Sequence, residues 1–412
     1  MRPGKVLISG ASLAGPALAY WLHVTGWEVT LVERSRKLRL GGYPIDVRGS
    51  AAEIAVRMGI HDEMVAERQR HLPTQILKPN GKLLTKFSIY DLTASVNTID
   101  VELPRGALTR ILYDLTKDKV EYVFGDSVTG LRETEDGIDA EFLHREAERF
   151  DIVVGADGIH STTRRLLFGP EEDYVRHLGP LVAIWDLQPG VVKGDVNYVY
   201  SNPGRTILAD VPESGVGRMF TTFLHPDPGS IDVSDPNATA DLVREAFRDD
   251  QWELSSRLVE TITTDDDVFF DTVSQVRMDS WHRGRAVLVG DAAYAPAFLS
   301  GQGTSIAMMG AYVLASELET RSTPEEAFAA YDAKLRSFVE KNQALALRPD
   351  SSVMCRTEES LRQRNKRFKK ARWIVKLGLS RLLTRHVREA SNDFDVSGYG
   401  IRPVATPVGR AS

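Results

Sequence analysis

The chain has 412 residues, 42% of them apolar and 26% charged, with a formal net charge of −6. That is an ordinary globular balance, long enough for two domains or one interleaved unit, and it offers no global basic field for nucleic acid. The single cysteine, Cys355, excludes an intrachain disulfide and any Cys-X-X-Cys zinc or redox pair, which fits a reducing cytoplasm.

The apolar run Val6–Ile8 is too short for a signal-peptide core and leads straight into a glycine turn. No stretch approaches the ~18 uninterrupted apolar residues that cross a bilayer. The expectation is a cytoplasmic protein, monomer or homodimer, with neither membrane nor nucleic acid as a partner. No H-E-x-x-H pattern or histidine cluster is present, so no metal is expected.

The first element is a strand, Lys5–Ser9, that ends in Gly10-Ala11-Ser12-Leu13-Ala14-Gly15. A helical run through Ala17, Leu18, Tyr20, Trp21 and Leu22 follows, then Trp27–Val32 and Glu33. This is a β-α-β unit of about 30 residues. Gly10 permits a tight turn and Gly15 allows close packing of helix on sheet. A dinucleotide pyrophosphate belongs on the helix N-terminus, where unpaired N–H groups and the dipole favour anions. Glu33 stands where an acid accepts hydrogen bonds from an adenosine ribose. Ser12 replaces the middle glycine of the G-x-G-x-x-G fingerprint; its side chain is small and its hydroxyl can donate. The rival pattern, the G-x-S-x-G nucleophile elbow, fails at Ala14 and at a position this early in the chain.

Next comes a loop with glycines at both ends, Gly41-Gly42-Tyr43-Pro44-Ile45-Asp46-Val47-Arg48-Gly49, in which Asp46 and Arg48 are polar candidates. Asn80-Gly81, between Gln75–Leu77 and Leu83–Phe87, predicts a β-hairpin. A second strand, Asp151–Gly155, runs into Ala156-Asp157-Gly158-Ile159-His160, with Arg164 beyond. From Leu181 to Leu224 apolar and polar residues alternate, with turns at Asn202-Pro203-Gly204 and Glu213-Ser214-Gly215. That is the pattern of a half-buried antiparallel sheet. A third strand, Ala286–Val289, meets Gly290-Asp291-Ala292-Ala293, then Pro296 and Gly301-Gln302-Gly303-Thr304. Helical stretches run from about Ser305 to Leu318 and Glu325 to Asn342, and the tail Glu358–Glu389 is helical and basic. Leu361, Phe368, Trp373, Ile374, Leu377 and Leu382 anchor it, and Arg364, Lys366, Arg367, Lys369, Lys370 and Arg372 are expected to stay solvated.

In this order, the three strand–turn motifs resemble the group A FAD-dependent aromatic hydroxylases, over residues 4 to about 345. The resemblance implies an α/β fold: a Rossmann-type FAD-binding domain with an inserted antiparallel-sheet substrate domain and a C-terminal helix. It assigns residues 1–72, 99–176 and 269–345 to the FAD domain, 73–98 and 177–268 to the substrate domain, and 346–412 to the tail. It implies that Gly10, Ser12, Leu13, Ala14 and Gly15 line the ADP part, that Glu33 holds the ribose, and that Arg34 lies near adenine or phosphates. Arg105, in Pro104-Arg105-Gly106, matches the arginine that reaches the flavin side chain. Asp157 and Gly158 fall on a motif linked to FAD and NAD(P)H, with His160 and Arg164 as polar contacts, and Asp291 matches the acid on the ribityl chain. Pro296 and the turn Gly301-Gln302-Gly303-Thr304 lie by the flavin ring. Tyr294 and Phe298 depart from the family pattern, which often has histidine and proline there.

The resemblance further implies the chemistry: NADPH or NADH reduces the flavin, O2 adds at C4a, and the hydroperoxide transfers one oxygen to an aromatic or polyketide-type substrate. The protein positions substrate and excludes water. Trp185, Tyr198, Tyr200, Phe220, Phe223, Phe269 and Phe298 are the candidate wall, of which sheet alternation must turn about half away. Baeyer–Villiger oxidation or epoxidation would use the same residues. A reductase of the geranylgeranyl-reductase type, or a redox-silent flavin-binding protein, shares the fold. A flavin halogenase lacks its Trp-x-Trp-x-Ile-Pro signature here.

Overall fold

The computed structural model describes residues 2–41, 43–68, 72–87, 99–188, 190–192, 194–212, 215–233, 235–264, 268–347, 354–376, 389 and 394–401. Gly42, the Glu213-Ser214 turn, Leu377, Leu382 and the far end of the chain lie outside them, as do the side chains of Arg372, Trp373 and Ile374.

The dominant sheet has six strands in the order His282–Arg283, Ala286–Leu288, Ile152–Gly155, Lys5–Ser9, Glu28–Glu33, Glu121–Phe124. All neighbours are parallel except the short edge strand His282–Arg283. Short apolar runs without alternation suit a sheet covered on both faces, and Val6, Leu7, Ile8, Val153 and Val154 are fully buried. Helix Ala14–Val24 packs on it, and helix Gly303–Thr320 packs on that helix. The latter is buried on nearly its whole circumference, from Ser305 to Leu318, as its all-round apolar sequence requires. Helix Pro324–Ala346 opens with a variant of the capping box: the N-cap Thr323 hydroxyl accepts from the Glu326 N–H at 3.2 Å, while the Glu326 carboxylate accepts from the N–H of Ser322, one residue before the cap.

The inserted sheet has seven strands, in the order Phe269–Val276, Val175–Leu187, Gly217–Leu224, Arg205–Val211, Val196–Asn202, Thr74–Leu77, Leu83–Phe87. The hairpin around Asn80-Gly81 joins it through a parallel pair, Val199 opposite Ile76. The strand Phe269–Val276 does not belong to the third cofactor segment, where the division at residue 269 had put it. It pairs along the long strand Val175–Leu187. An apolar run carries no mark of which sheet will accept its hydrogen bonds, so the boundary was decided by tertiary pairing.

A two-stranded ribbon, Pro44–Val47 with Val101–Pro104, and a three-stranded sheet, Val128–Thr134, Gly137–Phe142 and Glu148–Phe150, complete the body. Helix Glu358–Lys376 lies across the inserted sheet. Arg364 is the exception to the expected solvated face: it is buried, and its guanidinium donates to the Ser201 hydroxyl at 2.7 Å. Among the described residues no helix is long and apolar enough to cross a membrane.

One close approach sets the spacing of the segment before the ribbon against helix Arg105–Thr116. A Cβ added at Gly106 would stand 1.6 Å from the Leu40 carbonyl oxygen. Gly106→Ala is expected to destabilise the fold by roughly 1–3 kcal/mol, the usual cost of overpacking, read as a lower urea midpoint at unchanged slope.

Candidate active site

The three motif strands are neighbours, so their carboxyl ends bring Ser9, Gly155 and Leu288 to one edge, where open α/β sheets bind ligands. Gly10 leaves its strand at φ +110°, and a Cβ there would meet the Ala156 carbonyl oxygen at 2.4 Å. A Cβ at Gly15 would stand 1.9 Å from the Gly10 oxygen, which is how closely the helix seats on the turn. Leu13 and Ala14 are buried in that seat. The Glu33 carboxylate accepts from the backbone N–H of Ala11 and of Ser35, both at 2.9 Å, so it braces the turn from the next strand. Arg34 beside it is exposed.

The second motif is held from within. Asp157 accepts from the Ser161 hydroxyl and, at 2.9 Å each, from the N–H and hydroxyl of Thr163; the Ser9 hydroxyl lies at 3.5 Å. Its carboxylate therefore caps helix Thr162–Phe168 and ties two strand ends together. Gly158 follows at φ +85° with nothing within 4 Å of a would-be Cβ, leaving its backbone open. His160 is paired on both ring nitrogens, with Glu171 at 2.8 Å and with Asp271 of the inserted sheet at 3.4 Å. Those hydrogen bonds, to Asp271 first, push its pKa up to about 10, so it is an imidazolium that links the two sheets. Arg164 is fully buried and donates to the Ala292 and Ile159 carbonyls and to Glu171. It joins the second motif to the third.

Arg105 joins the first motif to the third. It opens the helix after the ribbon, its N–H donates to the Tyr43 carbonyl at 3.1 Å, and its guanidinium donates to the Ser12 hydroxyl at 2.6 Å. Its charge also acts on Asp291 and on the Tyr43 hydroxyl. Asp291 is exposed by surface area yet stands among enclosing protein. That enclosure raises its pKa, Arg105 opposes the rise, and Asp271 adds to it. Burial likewise pushes Tyr43 up to about 12. Past Asp291, Gly301 turns at φ +65° with open space on its side-chain face, Gln302 is buried, and Gly303 and Thr304 begin the long helix, whose first N–H groups have no partner within the helix.

The ribbon closes one side. Ile45, Val47, Val101 and Leu103 face the core, so the alternate residues Asp46 and Glu102 stand directly opposite each other on the other face. Asp46 pairs with Arg48 at 2.6 Å, and Ser305 of the long helix bridges the Arg48 N–H and the Asp46 carbonyl. Burial, then Asp46 and Asp210 against Arg48, raises Glu102 to about 7. Sequence reasoning missed Glu102; its distance of three residues from Arg105 was the available signal.

The inserted sheet closes the other side, and here alternation sorts the proposed wall. Phe220, Phe269 and Phe298 share one face with Tyr43: Phe298 stacks on Phe220 at 5.1 Å, and Tyr43 meets Phe298 edge-on at 4.6 Å and Phe269 at 5.8 Å. Trp185, Tyr198, Tyr200 and Phe223 are corrected to the opposite face, packed under helices Pro236–Phe247 and Glu253–Val259. There the Trp185 indole N–H donates to Thr261 at 2.9 Å and Tyr200 donates to the Pro79 carbonyl at 2.9 Å. The open groove of about 780 Å³ between those two helices is lined by Asp241, Arg244, Glu245, Arg248 and Glu260, which pair among themselves. None of the motif residues lines it. Tyr294 is buried, hydrogen-bonded to Tyr331 at 2.8 Å, and its hydroxyl occupies the space that a Cβ on Gly310 would take.

The glycine-lined turn at Gly10–Gly15, the open backbones at Gly158 and Gly301, and the Ser12–Arg105–Asp291 set fit an elongated, anionic dinucleotide carrying a ring system such as FAD. A family model described as an FAD binding domain matches residues 4–346. A flavin-dependent monooxygenase of Legionella longbeachae serogroup 1 is 34% identical over 384 residues, 90% of this chain and 95% of that protein. A flavin-dependent monooxygenase from an unknown prokaryotic organism is 34% identical over 365 residues, 88% of this chain and 94% of its own length. The crystal structure of tetracycline destructase Tet(55) superposes with a TM-score of 0.81 at 32% identity, covering 96% of this chain and 99% of that one. The chain belongs to the FAD binding domain family and, within it, to the group A flavin-dependent monooxygenases.

Proposed function

We propose that this monooxygenase uses NADPH or NADH and O2 to hydroxylate an aromatic or polyketide-type small molecule. Tetracycline-like compounds come first among candidates, because the similar Tet(55) is a tetracycline destructase. The observation that carries the reading is the aromatic cluster of Phe220, Phe298, Tyr43 and Phe269, which the Tyr43 carbonyl links to the Arg105 N–H. Such a cluster selects a flat apolar ligand.

When bound, FAD supplies the chemistry, taking two electrons from the nicotinamide and activating O2 for transfer of one oxygen atom. The chain binds and orients. Ser12 and the turn Leu13–Gly15 receive the ADP part, Glu33 the ribose, and Arg34 the adenine side. Arg105 and Asp291 hold the flavin side chain. Pro296 and the helix start at Gly301–Thr304 receive the ring, where a helix N-terminus favours negative charge. Asp46 and Arg48 face flavin or nicotinamide. Asp157 acts indirectly, by fixing the loop that carries Gly158.

The decisive experiment mixes FAD-loaded protein anaerobically with NADPH or NADH, with and without phenolic polyketides and tetracyclines. Faster flavin bleaching with one compound, followed by a hydroxylated product on adding oxygen, is the expected result. Flavin that never bleaches would favour a redox-silent protein, and reduction without oxygenation a reductase.

Arg105→Ala is expected to weaken FAD binding about 10–100-fold, the loss of one or two charge-assisted hydrogen bonds, in a flavin-fluorescence titration. Glu102 gives a pH test. Its folded pKa of about 7 lies above the ordinary 4.5, so its ionisation opposes folding. Stability from this group is present at low pH and lost as pH rises through that window. Glu102→Gln should flatten the decline in thermal midpoint between pH 4.5 and about 7.

A further inference from the structure

Among the described residues Ala297 is the one non-glycine at positive φ, with φ +74° and ψ 149°. That region is essentially reserved for glycine, and a residue with a Cβ stays there only when its surroundings over-determine it. Ala297 is buried, and it directly precedes Phe298, the ring that bridges Phe220 of the sheet and Tyr43 of the loop.

The surroundings are two buried glutamines outside every recognised motif. The Gln343 side-chain amide donates to the carbonyls of Val276 at 2.9 Å, Tyr294 at 3.2 Å and Ala295 at 3.4 Å. The Gln275 amide donates to the Pro296 carbonyl at 3.0 Å and to the Gln343 carbonyl at 2.7 Å, while its own oxygen accepts from Arg277. The carbonyls of three consecutive residues, Tyr294, Ala295 and Pro296, are thus all held immediately before the strained one. On the other side the Ser300 N–H donates to the Ala297 carbonyl at 3.1 Å and the Gly301 N–H to the Phe298 carbonyl at 3.2 Å. Burying two amides is costly unless they are satisfied, and a satisfied network is rigid.

We propose that Gln275 and Gln343 clamp the chain so that Ala297 adopts a strained backbone, and that this strain aims the Phe298 ring into the cleft. Gln275, Gln343 and Ala297 are then positioning residues for the ring that meets the substrate. The part of this that concerns substrate rests on the hydroxylase reading; the clamp and the strain do not.

The test uses FAD-loaded wild type, Ala297→Gly, Gln343→Met and the double variant. While the clamp is intact, glycine relieves strain, so Ala297→Gly should melt no lower than wild type. With Gln343→Met the turn relaxes, and the same glycine should then cost its ordinary entropic loss, a fall of about 1–3 °C below Gln343→Met. Gln343→Met should also raise KM for the turned-over compound about 5–10-fold with a smaller change in kcat, as expected for a misplaced pocket wall. If Gln343→Met does not fold, Gln275→Glu, which keeps the acceptor for Arg277 but loses the donors, serves in its place. Equal effects of glycine in both backgrounds, or a fall in both, would overturn the clamp. An unchanged KM would overturn the aim of Phe298. If no compound is turned over, the hydroxylase reading fails by itself, and the melting cycle still decides the clamp.

Discussion

Everything in this molecule hangs on parallel backbone pairing among three short strands, Lys5–Ser9, Ile152–Gly155 and Ala286–Leu288. They start about 130–150 residues apart in the chain, yet Ser9 lies opposite Gly155, and Gly155 opposite Leu288. Parallel pairing puts all three carboxyl ends on one edge, and the turns that follow them become one site. The close contacts at Gly10 and Gly15 leave no room for a side chain in that edge, so the site is a cradle of backbone. The long loops closed in forming it return their entropic cost only through burial of the shared sheet.

Around that edge the charges are arranged with few cations and several acids. Arg105 reaches the first turn through Ser12 and the third through Asp291. His160, paired with Glu171 and Asp271, carries a positive charge between the sheets. Asp157 and Arg164 satisfy backbone groups and link motif to motif, so they preserve the shape of the cradle. Such links explain how loops meet a cofactor in a fixed geometry without a rigid element at each contact.

The cleft has two unlike walls. On the ribbon, alternation turns Asp46 and Glu102 outward as a pair of facing carboxylates with Arg48 beside them. On the inserted sheet, alternation turns Phe220 and Phe269 inward and sends Trp185, Tyr198, Tyr200 and Phe223 under the outer helices. Phe298 joins the two walls through Tyr43, and the glutamine pair beneath it keeps the connecting turn in place. Polar and apolar side chains are thereby divided between the ribbon and the inserted sheet.

Much of this was legible in residue order alone. Strand-then-glycine punctuation marks Gly10, Gly158, Gly290 and Gly301 because backbone conformation is a local property. The acid at Glu33 falls at a fixed distance from the first turn, Arg105 was legible only through the family resemblance, and the hairpin at Asn80-Gly81 is written in its turn residues. What the tertiary structure decided is everything that depends on partners remote in sequence. Period-two alternation says that half the aromatic residues face one way, but only the helical cover of the far face says which half. The strand Phe269–Val276 could join either sheet until Val175–Leu187 offered its edge. Arg364 reads as one more solvated charge in a basic helix until Ser201 meets it. Gln275 and Gln343 carry no motif, since a glutamine becomes a clamp only when folding brings three carbonyls within its reach. Local conformation was fixed by local residues, whereas pairing, burial and strain were set by contacts that exist only once the chain has closed.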